Sequence, residues 1–230
     1  MISGWGRTKI FKSNILKPKD TIELKKFIKI HKKIISRGLG RSYGFSSISD
    51  NVIDLSNFNE KKFKIIKSQN ILECHSSYSI KDIIDKLTKK KFFIPVTSGT
   101  KYVTIGGAIA SDIHGKNHHV DGSFCDYVLG FKIMLANGKI INCSRNKNPK
   151  VFYSTCGGMG LTGIIIEAKI RLIRIPSENI LETVIKTENL DQTLKKFEEL
   201  NSNKYIVAWI DTNKINKKLG RSIIYVGKHS

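Results

Sequence analysis

Cysteines are few and none is paired along the chain: Cys74, Cys125, Cys143 and Cys156 stand apart, with no C-x-x-C spacing. That scatter argues against a disulfide framework, and the thiols read as reduced side chains filling core space. No apolar run approaches the ~20 residues needed to span a bilayer. The opening MISGWGRTKIFKSN lacks the apolar core and small-residue cleavage site of a secretory signal. The expected location is therefore cytoplasmic, with at most a peripheral contact at the inner membrane. Acidic residues are also scarce, 19 against 40 lysines and arginines, for a net charge of +21. A basic surface attracts phosphates on nucleic acids, membranes or substrates. No aromatic-rich basic stripe of the kind that stacks bases is present, so nucleic acid is not an expected partner. A membrane surface or a lipid-phosphate substrate suits the charge better, and a general bias toward Lys, Ile and Asn accounts for it equally.

What remains describes a packed chain. Hydrophobic residues make up 40% and charged residues 26% of the 230, a globular balance, and the length suits one large α/β domain or two small lobes. Pro18 and Asp20, with Glu23 in capping-box spacing, open a helix over residues ~20–32 whose Leu24, Phe27 and Ile28 share a face. Ile34 and Ile35 start a strand that runs into RGLGRSYG, VIDL (52–55) is another, and KFKIIKSQNILECHSS predicts a hairpin turning near Gln69–Asn70. Ser79 and Asp82 form a second capping box ahead of Ile80, Ile83, Ile84 and Leu87 at helical spacing. Residues 98–123 predict a long glycine-bearing loop, and 127–144 a hairpin about Asn137–Gly138. CGGMGLTG precedes the apolar strand IIIEAKIRLI; Leu190, Leu194, Phe197 and Leu200 mark a helix, and YIVAWI (205–210) a buried strand. Short strands alternating with helices and punctuated by glycine loops indicate an α/β or α+β ligand-binding domain. The chain stops at YVGKHS without a closing helix or turn, which reads as unfinished.

Three glycine clusters carry the chemistry. In Arg37-Gly38-Leu39-Gly40-Arg41-Ser42-Tyr43-Gly44, the glycines let backbone amides approach an anion, and two arginines and a serine add donors suited to phosphate oxygens. An ordinary tight turn with surface arginines has the same composition. No helix with the right apolar face follows at once, so this is not the G-x-G-x-x-G of nicotinamide-cofactor folds. The second cluster, SGTKYVTIGGAIASDIHGKNHH (98–119), sets Gly106–Gly107 in an apolar context, suggesting close backbone approach to something flat or large. His114, His118 and His119 suit zinc by composition, yet no Cys or carboxylate completes a ligand set and Lys116 sits among them, so no metal is expected. The third cluster, Gly157-Gly158-Met159-Gly160-Leu161-Thr162-Gly163, gains meaning only beside the other two.

RGLGRSYG, then SGTKYVTIGGAIASDIHGKNHH, then GGMGLTGIII, in this order and spacing, resemble the FAD-binding domain of the vanillyl-alcohol-oxidase (PCMH) type. SGWGRT near the start and AWIDTNKINKKLGRS (208–222) extend the likeness toward the decaprenylphosphoryl-ribose oxidase subfamily and over the whole chain. The resemblance implies an α+β fold: a two-lobed FAD-binding domain over residues 1–175, with lobes about 1–95 and 96–175, then the start of an α+β substrate domain over 176–230. It implies FAD held non-covalently, with Arg37 through Gly44 at the pyrophosphate and Tyr43 shielding the flavin edge. Gly99, Thr104, Gly106, Gly107, Ser111 and His114 would wrap the ribityl chain and ring system, and Gly160 and Ile165 would meet the adenosine end. His114, Lys116 and Tyr43 are the residues expected to position substrate and flavin. Residue 111 is Ser where close relatives often carry Cys, and residue 159 is Met where they often carry Asn. The implied activity is oxidation of a sugar hydroxyl, at the 2′ position of a polyprenyl-phosphate-linked ribose. A soluble sugar or aldonolactone is the alternative substrate, and a non-catalytic flavin-binding fragment the alternative role. The implied partners are the lipid-phosphate sugar, a short-chain reductase acting on the keto product, and a second chain supplying the rest of the substrate domain.

Overall fold

A computed structural model describes residues 1–59, 61–213 and 219–230. Of the 208–222 stretch, residues 214–218 lie outside the described residues. The N-terminal hairpin β1 (Ile2–Ser3) and β2 (Ile10–Phe11) leads into β3 (Asn14–Leu16), α1 (Thr21–Ile30), β4 (Ile34–Ser36) and β5 (Asn51–Ile53). The last three strands form a parallel sheet in the order β3-β5-β4. Asp20 caps α1 by accepting the Glu23 amide at 2.8 Å, while the Glu23 carboxylate reaches back to the Lys19 amide at 2.7 Å. The helix therefore starts where its cap dictates and turns a fully buried Leu24 onto Ile53, Leu55 and Phe58. Parallel neighbours cannot be joined by a tight hairpin. The β4–β5 connection, residues 37–50, is the first glycine cluster itself, projecting from the C-terminal end of a parallel strand.

A larger antiparallel sheet follows, ordered β10-β9-β11-β7-β6, from β6 (Phe63–Ile66), β7 (Ile71–His75), β9 (Val128–Met134), β10 (Ile140–Cys143) and β11 (Ile164–Arg171). Its two hairpin turns place Asn70 and Gly138 in the left-handed region, at φ 52° and 76°. α2 (Ile80–Leu87) carries the reciprocal Ser79–Asp82 capping box and buries Ile80, Ile83 and Leu87 completely. Each such side chain contributes roughly 1.5–3 kcal/mol. The short β8 (Phe92–Phe93) pairs with β12 (Ile173–Arg174). The expected loop 98–123 instead contains two helices, α3 (Ile105–Ala110) and the single turn α4 (His118–Asp121), because Thr104 caps α3 and Ile105, Ala108 and Ile109 bury fully. α5 (Pro149–Thr155), with proline in its first turn, carries no periodic signal long enough to predict it. Leu72, Ile83, Ile94, Ile109, Phe131 and Phe152 belong to one core that runs through α2, α3, α5 and the sheet. The expected lobe boundary near 95 falls inside that core. The parallel sheet and the larger one part between residues 58 and 63, since β6 pairs with β7 and β7 with β11.

Residues 176–230 build a separate three-stranded antiparallel sheet from β13 (Ile180–Thr187), β14 (Tyr205–Ile210) and β15 (Ser222–His229), with α6 (Leu190–Glu199) on one face. Its interior is partly polar: Thr187, Thr193 and Ser222 share a buried hydroxyl cluster with contacts of 2.7 and 3.1 Å. YIVAWI is a strand but not a buried one, because only Ile206 is buried and Trp209 is 61% exposed. The apolar stripe of α6 is likewise open at Leu190 and Leu194. This sheet meets the rest of the chain through Ile206 N–H to the Lys116 carbonyl at 3.1 Å, a Lys204–Asp121 ion pair at 3.1 Å and His229 edge-on to Phe93. Among the described residues, no helix is long and apolar enough to cross a membrane.

Candidate functional site

The three glycine clusters, far apart in sequence, line one cavity of about 1080 Å³ between the two sheets. The first cluster is held from below. Arg37 donates to the Ser3 carbonyl at 2.7 Å and to the Ser47 hydroxyl at 3.1 Å, and burial lowers its guanidinium from the ordinary value, with Asp54 opposing. It is therefore a brace for the loop that also lines the cavity. Gly40, at φ 66°, makes room for it, since a Cβ there would lie 2.2 Å from an Arg37 terminal nitrogen. Arg41 donates Nε to the Tyr102 carbonyl at 3.2 Å and stacks on Trp5 at 4.4 Å, leaving its terminal nitrogens without a partner among the described residues. The Trp5 amide holds the Ser42 carbonyl at 2.7 Å. With the loop braced in this way, the backbone amides of residues 38–44 donate to no group among the described residues.

The second cluster is built differently. Thr104 Oγ1 accepts the Gly107 amide at 3.2 Å, the Tyr78 carbonyl takes the Ile105 amide and the Ser76 carbonyl the Gly106 amide, both at 2.9 Å. Gly106 is needed for closeness, its absent Cβ falling 3.3 Å from Ser76 Cβ. Gly38 packs directly on this cap; a Cβ there would meet Thr104 Oγ1 at 2.3 Å, so the first two clusters interlock. The third cluster closes the other end of α3: the Gly157 and Met159 amides take the Ile109 and Ala110 carbonyls at 3.1 and 2.8 Å. Met159 does this at φ 52°, in the left-handed region that glycine usually fills.

Every expected cofactor residue but one lines the cavity: Arg37, Gly38, Leu39, Gly40, Arg41, Ser42, Tyr43, Gly44, Gly99, Thr104, Gly106, Gly107, Ser111, Gly160 and Ile165. His114 does not. Its exposed ring meets His118 edge-to-face at 5.7 Å, and its backbone bridges to Ser123. Lys116 does not line the cavity either, and its carbonyl carries the third sheet. Of the three expected positioning residues only Tyr43 faces the cavity, at its rim and 81% exposed. The lining also contains hydroxyls that sequence reasoning missed, Ser36, Ser46, Ser47, Ser76, Ser77 and Ser98. Ser36 directly follows apolar strand residues, and Ser76 and Ser77 follow the end of β7, which was the available signal. Next to Ser76, His75 is buried, with Nδ1 2.8 Å from the Ser77 hydroxyl and Nε2 unpartnered. Burial pushes its pKa down to about 4, with Lys61 adding to the effect and Glu167 opposing. Among the described residues, no three His, Cys, Asp or Glu side chains gather as a metal ion would require.

The cavity suits a long dinucleotide with a flat ring system. A run of open amides and the Arg41 terminus offers donors to phosphates. Val103, Ala110, Ile113 and Ile165 supply apolar wall. Gly44 and Gly99 leave space in which a Cβ would touch nothing within 4 Å. Comparison with known proteins agrees. The sequence model described as an FAD binding domain matches residues 13–144. Decaprenylphosphoryl-beta-D-ribose oxidase of Mycolicibacterium smegmatis is 31% identical over 98% of this chain and 51% of its own length. Cytokinin dehydrogenase 2 of Arabidopsis thaliana is 30% identical over 63% of this chain and 29% of its own. L-gulonolactone oxidase of Mus musculus is 25% identical over 73% and 39%. The chain thus spans at most about half the length of these relatives. Joined by one cavity and matched over more than half the chain, the three clusters place this protein in the FAD binding domain family, with FAD as its cofactor.

Proposed function

We propose that this chain is the flavin-binding part of an oxidoreductase that oxidises a secondary hydroxyl of a sugar, with the 2′-hydroxyl of a polyprenyl-phosphate-linked ribose as substrate. The observation that carries the reading is the braced loop 38–44, whose partner-free amides face the same cavity as the glycine pair of α3. Bound FAD supplies the hydride acceptor. The protein's part is to fix that cofactor: the loop-one amides and Arg41 hold its phosphates, and Ser36, Ser46 and Thr100 offer hydroxyls along the wall. Tyr43, at the rim, covers the reacting edge and limits water. The name of the Mycolicibacterium relative supports the lipid-linked ribose, as does the net charge of +21, which favours a substrate lying at an anionic surface. Relatives named L-gulonolactone oxidase and D-arabinono-1,4-lactone oxidase support an aldonolactone as the second reading. A further polypeptide, supplying what the longer relatives carry beyond this region, completes the substrate side, and a short-chain reductase takes the keto product onward.

Purified protein is expected to be yellow, with one FAD per chain. Anaerobic bleaching of that flavin by a farnesylphosphoryl-ribose, alone or after adding the remaining portion of the enzyme, supports the first substrate. Bleaching by L-gulonolactone instead selects the second. A colourless chain that binds no added FAD overturns the proposal.

A further inference from the structure

Two of the four thiols, far apart in sequence, lie close in space. Cys125, in the turn that precedes β9, and Cys156, which ends α5, pack into the same core. Both sit at the C-terminal end of α3. The Ile109 carbonyl accepts the Cys125 thiol at 3.5 Å and the amide of Gly157, the residue after Cys156, at 3.1 Å. Their surroundings are unequal. Cys125 is buried and its amide is tied to Asp112 Oδ1 at 2.9 Å, whereas Cys156 is part-exposed. The neighbouring Cys125 thiol holds the Cys156 thiol below its ordinary value. Arg145 assists, and burial, Asp112 and Asp126 oppose. The same contact and burial drive Cys125 upward. Arg145 is fixed beside the pair by bonds to the Val128 and Cys125 carbonyls at 2.9 and 3.1 Å. One accessible sulfur favoured as thiolate, backed by one buried thiol within reach, is the arrangement of an attacking and a resolving cysteine.

We propose that Cys156 and Cys125 form a peroxide-responsive dithiol that closes to a disulfide beside the FAD cavity. The Cys156 thiolate attacks hydrogen peroxide, the O–O bond breaks, and sulfenic acid and hydroxide form. The Cys125 thiol then displaces water from that sulfenic acid, giving the S–S bond; two thiols have lost two electrons to the peroxide. The bond tethers the segment carrying Met159 and Gly160, which line the cavity, to the turn beneath α3. Cys74 and Cys143 are buried, and burial raises both their thiols, so they stay reduced. None of this depends on which sugar the enzyme oxidises.

The test is equimolar hydrogen peroxide on the reduced, folded chain, followed by alkylation in denaturant, intact mass and peptide mapping. The expected product has lost two hydrogens, contains a linked peptide joining Cys125 to Cys156, and reverts with dithiothreitol. Its Tm rises by roughly 5–10 °C, as closing a loop of this size implies. In Cys125→Ser, Cys156 is expected to be trapped as a dimedone-reactive sulfenic acid. Sulfinic acid at Cys156 with Cys125 still free, a link through Cys74 or Cys143, or four unmodified thiols would each overturn the proposal. The mapping uses the native chain, so it decides the matter even if the variant misfolds.

Discussion

Residues 38–44 and the Gly106–Gly107 segment are both glycine-rich in sequence, yet they use glycine for opposite ends. In the first, side chains do the bracing and the backbone amides stay open. In the second, the amides are committed to Tyr78, Ser76 and Thr104, and glycine serves to bring a helix onto a strand end. A glycine cluster therefore identifies a ligand-holding loop only once the destinations of its N–H groups are known.

That contrast can be broken where the two segments touch. Gly38→Val drives a branched side chain into the Thr104 hydroxyl, so it should cost about 3–4 kcal/mol through overpacking and loss of the cap and abolish FAD binding with it. Thermal unfolding followed by flavin fluorescence reads both losses, and a variant that keeps its Tm refutes the interlock. Acid should loosen the committed side next. His75 has a folded pKa of about 4, below its unfolded value near 6.5. Its contribution is therefore complete above that unfolded value and is lost as pH falls toward 4. The loss is expected to be about 2–3 kcal/mol in urea titrations, with His75→Phe flattening the slope. Thr104→Val removes only the α3 cap and should cost about 1 kcal/mol, which Thr104→Ser restores. Gly44→Ala sharpens the open side. Nothing lies near its Cβ, so stability should change by less than about 0.5 kcal/mol while FAD affinity, measured by fluorescence titration, falls about tenfold. An unchanged affinity would mean that the open amides do not face the cofactor.

Much of this was legible before any coordinates. Capping boxes at Asp20 and Ser79 and the turns at Asn70 and Gly138 are local, so they placed α1, α2 and both hairpins to within a residue or two. The order of the glycine clusters indicated the cavity. What failed was non-local. α3 reads as loop because its helix depends on Thr104 capping and on burial of Ile105 and Ile109 against distant strands. The expected lobe boundary near 95 falls inside a core that non-local pairing builds, with β7 joined to β11 almost a hundred residues away in sequence. His114 and Lys116 were singled out for their chemistry, but neither is among the residues that line the cavity. The bracing bonds of Arg37 to Ser3 and Ser47 were not legible, because a guanidinium's destination cannot be read from its neighbours in sequence. The same held for Cys125 and Cys156, whose separation along the chain concealed their contact.

The small C-terminal sheet has β15 at its centre, though β15 is the last of its three strands in chain order. During synthesis β13 and β14 therefore leave the ribosome with no ladder to join, their amides and carbonyls waiting on residues 222–229. Removal of those eight residues would not trim an edge. It would dissolve the sheet, releasing two unpaired strands that are free to pair with other chains.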